Sequence, residues 1–222
     1  MQPNTMKHIV LTGFEPFGGE SINPSWQAVC QLQQELSGAT DLHLTCLQLP
    51  VTFEGCFAPL QQVLQHHSVD LVLCIGQAGG RSHIGLEKVA INFAHARIAD
   101  NAGAQPLNAS LQPDGPAAYF STLPLGAMLH ACQQQQIPTQ LSFTAGTYVC
   151  NALFYQLMHF LTQQQSKALG GFIHIPYAPQ QVLQNPQPSL STTQVVTALR
   201  ACIDAFRQGL PEPMQVTGGT LD

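Results

Sequence analysis

Short apolar runs recur along the chain, and most of them lack a regular alternation of apolar and polar positions. Such runs are typical of strands that are covered on both faces, as in a parallel sheet. The run at 42–49 differs, because polar residues recur along it. The pattern predicts strands at 8–12, 42–49, 70–75, 89–93, 140–144 and 171–176.

Segments with helical spacing lie between most of these runs. Asn23 and Pro24 supply an N-cap and a first-turn proline, and apolar residues follow them at helical spacing. A second helix around residues 60–64 must place Pro59 in its first turn or bend there. Further helices are predicted at 128–135, 151–164 and 192–207.

Strands that alternate with helices predict an α/β sandwich built on a mostly parallel sheet. No linker or shift in composition divides the chain, so we predict one domain over residues 1–222, with 1–6 as a disordered extension or an alternative start. Active sites of such sheets lie at the carboxyl edge of the strands. The long Gly/Pro/Asn-rich connection at 100–115 is predicted to form a hairpin or a lid over the site.

The low content of charged residues limits the kinds of molecule that the protein is expected to bind. Charged residues make up 9 % of the chain, and 7 Lys+Arg against 12 Asp+Glu give a formal net charge of −5. This balance argues against nucleic acid or an anionic membrane as a partner, and no apolar stretch has the roughly 18 residues of a membrane span. Seven cysteines without a C-x-x-C pair indicate reduced, mostly buried thiols. We therefore expect a soluble, cytoplasmic protein that acts on small neutral molecules.

Two glycine-rich turns follow predicted strands and invite a test for phosphate binding. In "TGFEPFGG", Gly19 and Glu20 stand where a phosphate loop needs Lys and Ser/Thr, and "GQAGG" at 76–80 does not match the dinucleotide pattern. The first turn instead carries Phe14 and Phe17. These rings either tuck into the core or form an apolar wall for a ligand.

Cys150 follows a predicted strand and opens a long helix. The N–H groups and dipole of a helix N-terminus lower the pKa of a thiol, which makes Cys150 a candidate nucleophile. A nucleophilic thiol needs a base, and His174 interrupts the apolar strand "GGFIHIPY" near its carboxyl end. A lone histidine in a strand is more often a hydrogen-bonded core residue, but beside Cys150 it becomes a candidate base.

The third member of such a set is a carboxylate that orients the imidazole. Carboxylates are scarce in this chain, and the two best placed are Glu87, in "GLEKVAIN", and Asp100, in "ARIADN". Glu87 has an alternative role in a surface ion pair with Lys88 or another neighbour. The residues alone leave both candidates open.

Several motifs match one family in sequence and order: "TGFEPFGGESINPS", "GQAGGR", "EKVAIN", "ARIADN", "AYFSTLP", "SFTAGTYVCN" and "GFIHIPY". Together they resemble pyroglutamyl peptidase I, also called pyrrolidone carboxyl peptidase, a family of cysteine peptidases. The resemblance implies Cys150 as nucleophile, His174 as general base and acid, and Glu87 as the carboxylate that orients His174. It implies release of an N-terminal pyroglutamyl residue through a thioester, without metal or cofactor.

The same resemblance assigns the substrate pocket. Phe14 and Phe17 resemble the walls that hold the pyrrolidone ring, Gln77 a pocket glutamine, and Arg97 an arginine near the reacting carbonyl. The implied fold is a three-layer α/β/α sandwich with a twisted sheet, the implied assembly a homotetramer, and the implied substrates small peptides. The chain departs from the family at 85–88, which reads Gly-Leu-Glu-Lys where Thr-Pro-Glu-Arg is common.

Two rival functions remain at this point. A nucleoside phosphorylase or hydrolase has a similar architecture, since fold does not dictate chemistry. It requires a phosphate or ribose site, which the scarcity of basic residues near the glycine turns disfavours. A binding module with a degenerate site would hold pyroglutamate without turning it over.

Overall fold

The computed structural model describes residues 6–209 and shows an α/β fold whose helices flank a central sheet. Residues 1–5 of the predicted extension lie outside the described residues. The described strands are β1 (Lys7–Phe14), β2 (Leu42–Leu49), β3 (Leu71–Gln77), β4 (Ile84–Glu87), β5 (Val89–Ile91), β6 (Ala118–Phe120), β7 (Thr139–Ser142) and β8 (Leu169–Ile175). The described α-helices are α1 (Pro24–Glu35), α2 (Ala58–His66), α3 (Leu125–Gln134), α4 (Val149–Gln163) and α5 (Thr192–Arg207).

The central sheet has six strands in the order β2-β1-β3-β8-β4-β7. Strands β2, β1, β3 and β8 are parallel, β4 is antiparallel to β8, and β7 is parallel to β4. The predicted mostly parallel sheet is therefore confirmed. Strands β5 and β6 form a separate antiparallel pair, so the predicted strand at 89–93 is shorter and lies outside the central sheet.

The two faces of the sheet differ in composition. Helices α1, α3 and α5 cover one face, where the inward residues of β1, β3, β4 and β8 are Ile and Leu. Helices α2 and α4 cover the other face, which we call the α2/α4 face. In β8, Ile173 and Ile175 point to the face that α1, α3 and α5 cover, whereas Phe172 and His174 point to the α2/α4 face. The predicted three-layer arrangement follows from this packing.

The connection at 100–115 is held by a short backbone bridge and by side-chain hydrogen bonds. Ala94 and Ala109 form an antiparallel bridge, which gives the segment between them the form of an open hairpin. The Asn92 side chain accepts hydrogen bonds from Leu111 and Gln112 and donates to two carbonyls further along. None of the helices within residues 6–209 combines the length and apolar character that a membrane span requires.

Candidate active site

Three neighbouring strands place Gly76, His174 and Gly85 side by side. Gly76 of β3 pairs with His174 of β8, and His174 pairs with Gly85 of β4. Paired residues on neighbouring strands project to the same face, here the α2/α4 face. Because both neighbours of His174 lack a side chain, other elements can place groups on either side of the imidazole.

The thiol of Cys150 occupies the space above Gly76. A Cβ atom added at Gly76 would lie 2.9 Å from Sγ of Cys150. Cys150 is the second residue of α4, and the N-cap residue Tyr148 provides no side-chain hydrogen bond to the helix. The first N–H groups of α4 therefore remain available beside the thiol. The structure thus brings together the cysteine and histidine that the sequence singled out.

A loop of six residues leads from β7 to the helix that carries Cys150. The strand before it, β7, runs antiparallel to β8, because β7 is parallel to β4. Ser142 at the end of β7 is level with Glu87, which pairs with Phe172 in the middle of β8. The loop at 143–148 then carries the chain to the carboxyl end of β8, where α4 begins.

Burial raises the pKa of the Cys150 thiol well above its usual value, and the neighbouring Cys56 thiol and Glu87 carboxylate add to this effect. The positive charge of Arg81 opposes it. Burial thus acts against the lowering of the pKa that is expected from the helix N-terminus. A thiol with a raised pKa needs a base to become a nucleophile at neutral pH.

His174 has the partner that such a base requires. Its Nδ1 lies 2.7 Å from Oε1 of Glu87, which is fully buried. Since an ionised carboxylate only accepts hydrogen bonds, Nδ1 carries the proton, and Nε2 of the neutral ring is the basic nitrogen. Burial alone would raise the pKa of Glu87, but the hydrogen bond and charge of His174, with Ser142 and Arg81, hold that pKa below its usual value. Glu87 is therefore ionised at neutral pH.

The alternatives named for the carboxylate are not observed as predicted: Glu87 pairs with a neighbouring cation, Arg81, but it is fully buried rather than at the surface. Nζ of Lys88 lies 5.6 Å from the centre of the Phe120 ring rather than on Glu87. Asp100 is buried, and its carboxylate accepts hydrogen bonds from the backbone N–H groups of Phe53, Ala102 and Ala104. Asp100 therefore holds two loops together and makes no described contact with His174.

A cavity of about 300 Å³ opens above the thiol and the imidazole. All four residues expected to bind substrate line it: Phe14, Phe17, Gln77 and Arg97. Phe14 is only 2 % exposed and its ring centre lies 6.4 Å from that of Phe172, so it belongs to both the core and the wall. The carboxamide of Gln77 is fixed by a 2.9 Å hydrogen bond that Gln181 donates to its Oε1. No residue of the segment at 100–115 lines the cavity, so that segment is not a lid in this structure.

Comparison with known proteins identifies the family. A family model described as pyroglutamyl peptidase matches residues 7–209. The chain belongs to this family. A pyrrolidone-carboxylate peptidase of Bacillus licheniformis is 43 % identical over 217 residues, which cover 97 % of this chain and 99 % of that one. The corresponding protein of Yersinia pestis is 44 % identical, with 97 % of this chain and 100 % of that one covered.

Solved structures agree with this placement in the pyroglutamyl peptidase family. The crystal structure of pyroglutamyl peptidase I from Bacillus amyloliquefaciens superposes with a TM-score of 0.87 at 42 % identity, covering 96 % of this chain and 100 % of that one. A mutant pyrrolidone carboxyl peptidase from Pyrococcus furiosus gives a TM-score of 0.84 at 33 % identity, with 92 % and 100 % covered. The fold and the family of the chain are thereby established.

Two residues of this pyroglutamyl peptidase family site were not singled out from sequence. Tyr148 lines the cavity, donates a 3.0 Å hydrogen bond to the carbonyl of Ala99 and packs edge-on against Phe53. Nη1 of Arg81 donates a 2.7 Å hydrogen bond to Oε1 of Glu87. Two features of the sequence could have drawn attention to them. Tyr148 is an aromatic residue two positions before Cys150, and Arg81 is the single cation of the second glycine-rich turn.

Proposed function

We propose that this member of the pyroglutamyl peptidase family removes an N-terminal pyroglutamyl residue from peptides with Cys150, His174 and Glu87 as a catalytic triad. The observation that carries the proposal is the meeting of a thiol with an imidazole–carboxylate pair at the floor of an aromatic-walled cavity. The order of such residues along a chain varies between enzymes, whereas their relative geometry and their roles recur.

The lining of the cavity suits a neutral ring. Pyroglutamate carries no α-ammonium group, and none of the lining residues is Asp or Glu, so a free N-terminus would find no counter-charge there. Phe14 and Phe17 would enclose the ring, and the fixed carboxamide of Gln77 would hydrogen-bond the lactam. A site built to pair polar groups rejects analogues that leave them unpaired, by up to about 10⁴-fold.

The same lining argues against the rival chemistry. A phosphorylase must bind a phosphate dianion, which calls for several cationic or N–H donors around one point. Arg97 is the single Lys or Arg among the lining residues. One exposed guanidinium fits a role beside a reacting carbonyl better than a complete phosphate site.

In the proposed reaction, Nε2 of His174 takes the proton of Cys150 as Sγ attacks the pyroglutamyl carbonyl. The backbone N–H of Cys150, with Arg97, would stabilise the oxyanion, and a donor of this kind contributes about 3 to 4 kcal/mol in the transition state. His174 then protonates the departing amine, which leaves a thioester on Cys150. Water, deprotonated by His174, hydrolyses the thioester and releases pyroglutamate.

A fluorogenic pyroglutamyl amide tests the proposal. The wild-type protein should release the fluorophore without added phosphate, and Cys150→Ala should abolish release. Cys202→Ala is the matched control, because Cys202 is buried on the opposite face, 3.6 Å from Cys132. An active Cys150→Ala variant would refute the assigned nucleophile, and dependence on phosphate would favour the phosphorylase. Binding of pyroglutamate without turnover would favour the binding module.

We further propose that residues 1–222 form one peptidase domain and that four copies assemble in the cytoplasm, as the family resemblance implies. Exposed Phe120, Phe143 and Leu183 are consistent with association, since large apolar side chains at a surface favour contacts with other chains. Light scattering should give four times the 23.9 kDa of one chain. The mass of a single chain in solution would contradict this assembly.

A further inference from the structure

Arg81 reaches the catalytic carboxylate from a loop outside the cavity. It follows Gly79 and Gly80 in the connection between β3 and β4, and Nη1 lies 2.7 Å from Oε1 of Glu87. Nη2 lies 3.3 Å from the carbonyl oxygen of Thr144, in the loop that leads to Cys150. One guanidinium therefore joins the carboxylate to the segment that carries the nucleophile.

Gly85 provides the space for this guanidinium. A Cβ atom added at Gly85 would overlap with Nη1 of Arg81 and would lie 3.3 Å from Oε1 of Glu87. Gly85 does not have a positive φ, so its backbone conformation suits other residues. The absence of a side chain at this position matters because it keeps the path of Arg81 open. The two glycines that flank His174 thus make room for two different groups, the thiol of Cys150 and the guanidinium of Arg81.

The pair between Arg81 and Glu87 differs from an ordinary surface ion pair. The Glu87 side chain is fully buried and that of Arg81 is 25 % exposed, so solvent screens this pair less than a pair on the surface. Both Arg81 and His174 donate to the same atom, Oε1. The negative charge of Glu87 is therefore shared between a permanent cation and the imidazole.

Other titratable groups also face Glu87. His174 approaches from β8, Cys150 from α4, and His83 from the connection before β4. Ser142 of β7 is the uncharged neighbour. Among these described groups, Arg81 is the one whose charge does not change between acidic and alkaline pH.

We propose that Arg81 is a positioning residue for the reaction, which holds Glu87 beside His174 and supplies a fixed positive charge that sets the pH range over which Cys150 and His174 work. The proposal rests on the proposed function for its role in turnover. Arg81 is placed there by its hydrogen bond to Glu87, six residues further along the chain, and by the absence of a side chain at Gly85.

The direction of the effect follows from the sign of the charge. Removing a cation makes protonation easier for each neighbouring group, so the pKa values of Cys150 and Glu87 rise together. The acid limb of kcat/KM, which reports the protonation of the essential base, should therefore move to higher pH in Arg81→Gln. KM near neutral pH should change little, because Arg81 does not line the cavity.

Three variants test the assignment with the pyroglutamyl amide over about pH 5 to 9. Arg81→Gln should shift the acid limb, and Arg81→Lys should reverse part of that shift because it returns the charge. Gly85→Ala keeps the arginine, but the added methyl group occupies the position of the guanidinium beside Glu87. This variant should therefore show the same shift as Arg81→Gln. Arg200→Gln is the matched control, because Arg200 pairs with Glu35 on the surface and should leave the limb in place.

A second measurement does not depend on turnover. The pH profile for alkylation of Cys150 by iodoacetamide, followed by mass spectrometry of its peptide, should lie at higher pH in Arg81→Gln than in the wild type. Unmoved alkylation and activity profiles in Arg81→Gln and Gly85→Ala would overturn the proposal, even if the variants were less stable. A wild-type protein that does not cleave the amide would refute the proposed function, and the alkylation profile would still decide the role of Arg81.

Discussion

Two buried histidines lie at opposite ends of the same sheet face. His8, at the amino end of β1, is 8 % exposed, and His174, near the carboxyl end of β8, is 4 % exposed. Both point to the α2/α4 face, since His8 alternates in phase with Val10 and Phe14. Burial and position in a strand therefore do not distinguish them.

The hydrogen-bond partners of His8 and His174 distinguish the two residues. Nδ1 of His8 lies 2.9 Å from the carbonyl oxygen of Ser68, and Nε2 lies 2.9 Å from Oγ1 of Thr45, so two neutral groups satisfy the ring. Nδ1 of His174 meets the Glu87 carboxylate, and no described residue hydrogen-bonds its Nε2, which faces the cavity. A carboxylate on one nitrogen and an unoccupied second nitrogen beside a thiol mark the histidine that can move a proton.

The largest predicted effect is the difference in activity between the His174→Asn and His8→Asn variants. His174→Asn removes the group that is proposed to take the proton of Cys150, and loss of the base from a catalytic triad lowers kcat by about 10⁴-fold or more. His8→Asn should leave kcat/KM of the folded protein within about twofold, as expected away from the site. Both are measured with the pyroglutamyl amide, after circular dichroism confirms folding. Equal losses in the two variants would remove the distinction between the two sites.

Glu87→Gln tests the carboxylate that hydrogen-bonds His174 rather than the imidazole itself. The amide keeps the shape of the carboxylate but loses its charge, so the correct tautomer and the imidazolium are stabilised less, and kcat should fall by about 10²- to 10⁴-fold. The fold should persist. Asp100→Asn is the matched control, since Asp100 is also buried but binds backbone N–H groups. Unchanged turnover in Glu87→Gln would remove Glu87 from the triad.

The sequence predicted the strands and helices whose bounds depend on the local pattern of residues. The strand at 42–49 and the helix at 192–207 have the predicted bounds, because their turns and caps are encoded nearby, as with Ser191 and Gln194 in the capping box of α5. Strand β4 was missed, since four residues that include Gly85 and Glu87 give no apolar run. Its antiparallel direction depends on sheet pairing, which periodicity does not report.

The site was accessible from sequence only through residue types with unusual placement. His174 stands out because it interrupts an apolar strand, and Cys150 because it opens a helix. The contact between Arg81 and Glu87 could not be inferred, because it depends on the path of the loop before β4 and on the space above Gly85. The raised pKa of Cys150 likewise depends on the depth of burial, which the fold as a whole determines.

The smallest predicted effect concerns His8 and acid stability. Burial holds the pKa of His8 below its ordinary value of about 6.5, which the unfolded chain retains. As the pH falls below about 6.5, the unfolded state therefore takes up a proton before the folded state does, and the free energy of unfolding decreases. Above that pH the contribution of neutral His8 is fully present.

In urea unfolding between about pH 7.5 and 5, His8→Asn should show a shallower loss of stability than the wild type. His83, whose pKa burial also lowers, should account for part of the remaining slope. His130→Asn, at an exposed position, is the matched control for the loss of an imidazole. Glu87 should contribute separately, because its lowered pKa stabilises the fold above about pH 4.5 and this contribution disappears only at lower pH. An unchanged slope in His8→Asn would show that His8 takes up its proton equally well in the folded and unfolded states, and the contrast with His174 would then rest on Glu87 and Cys150 alone.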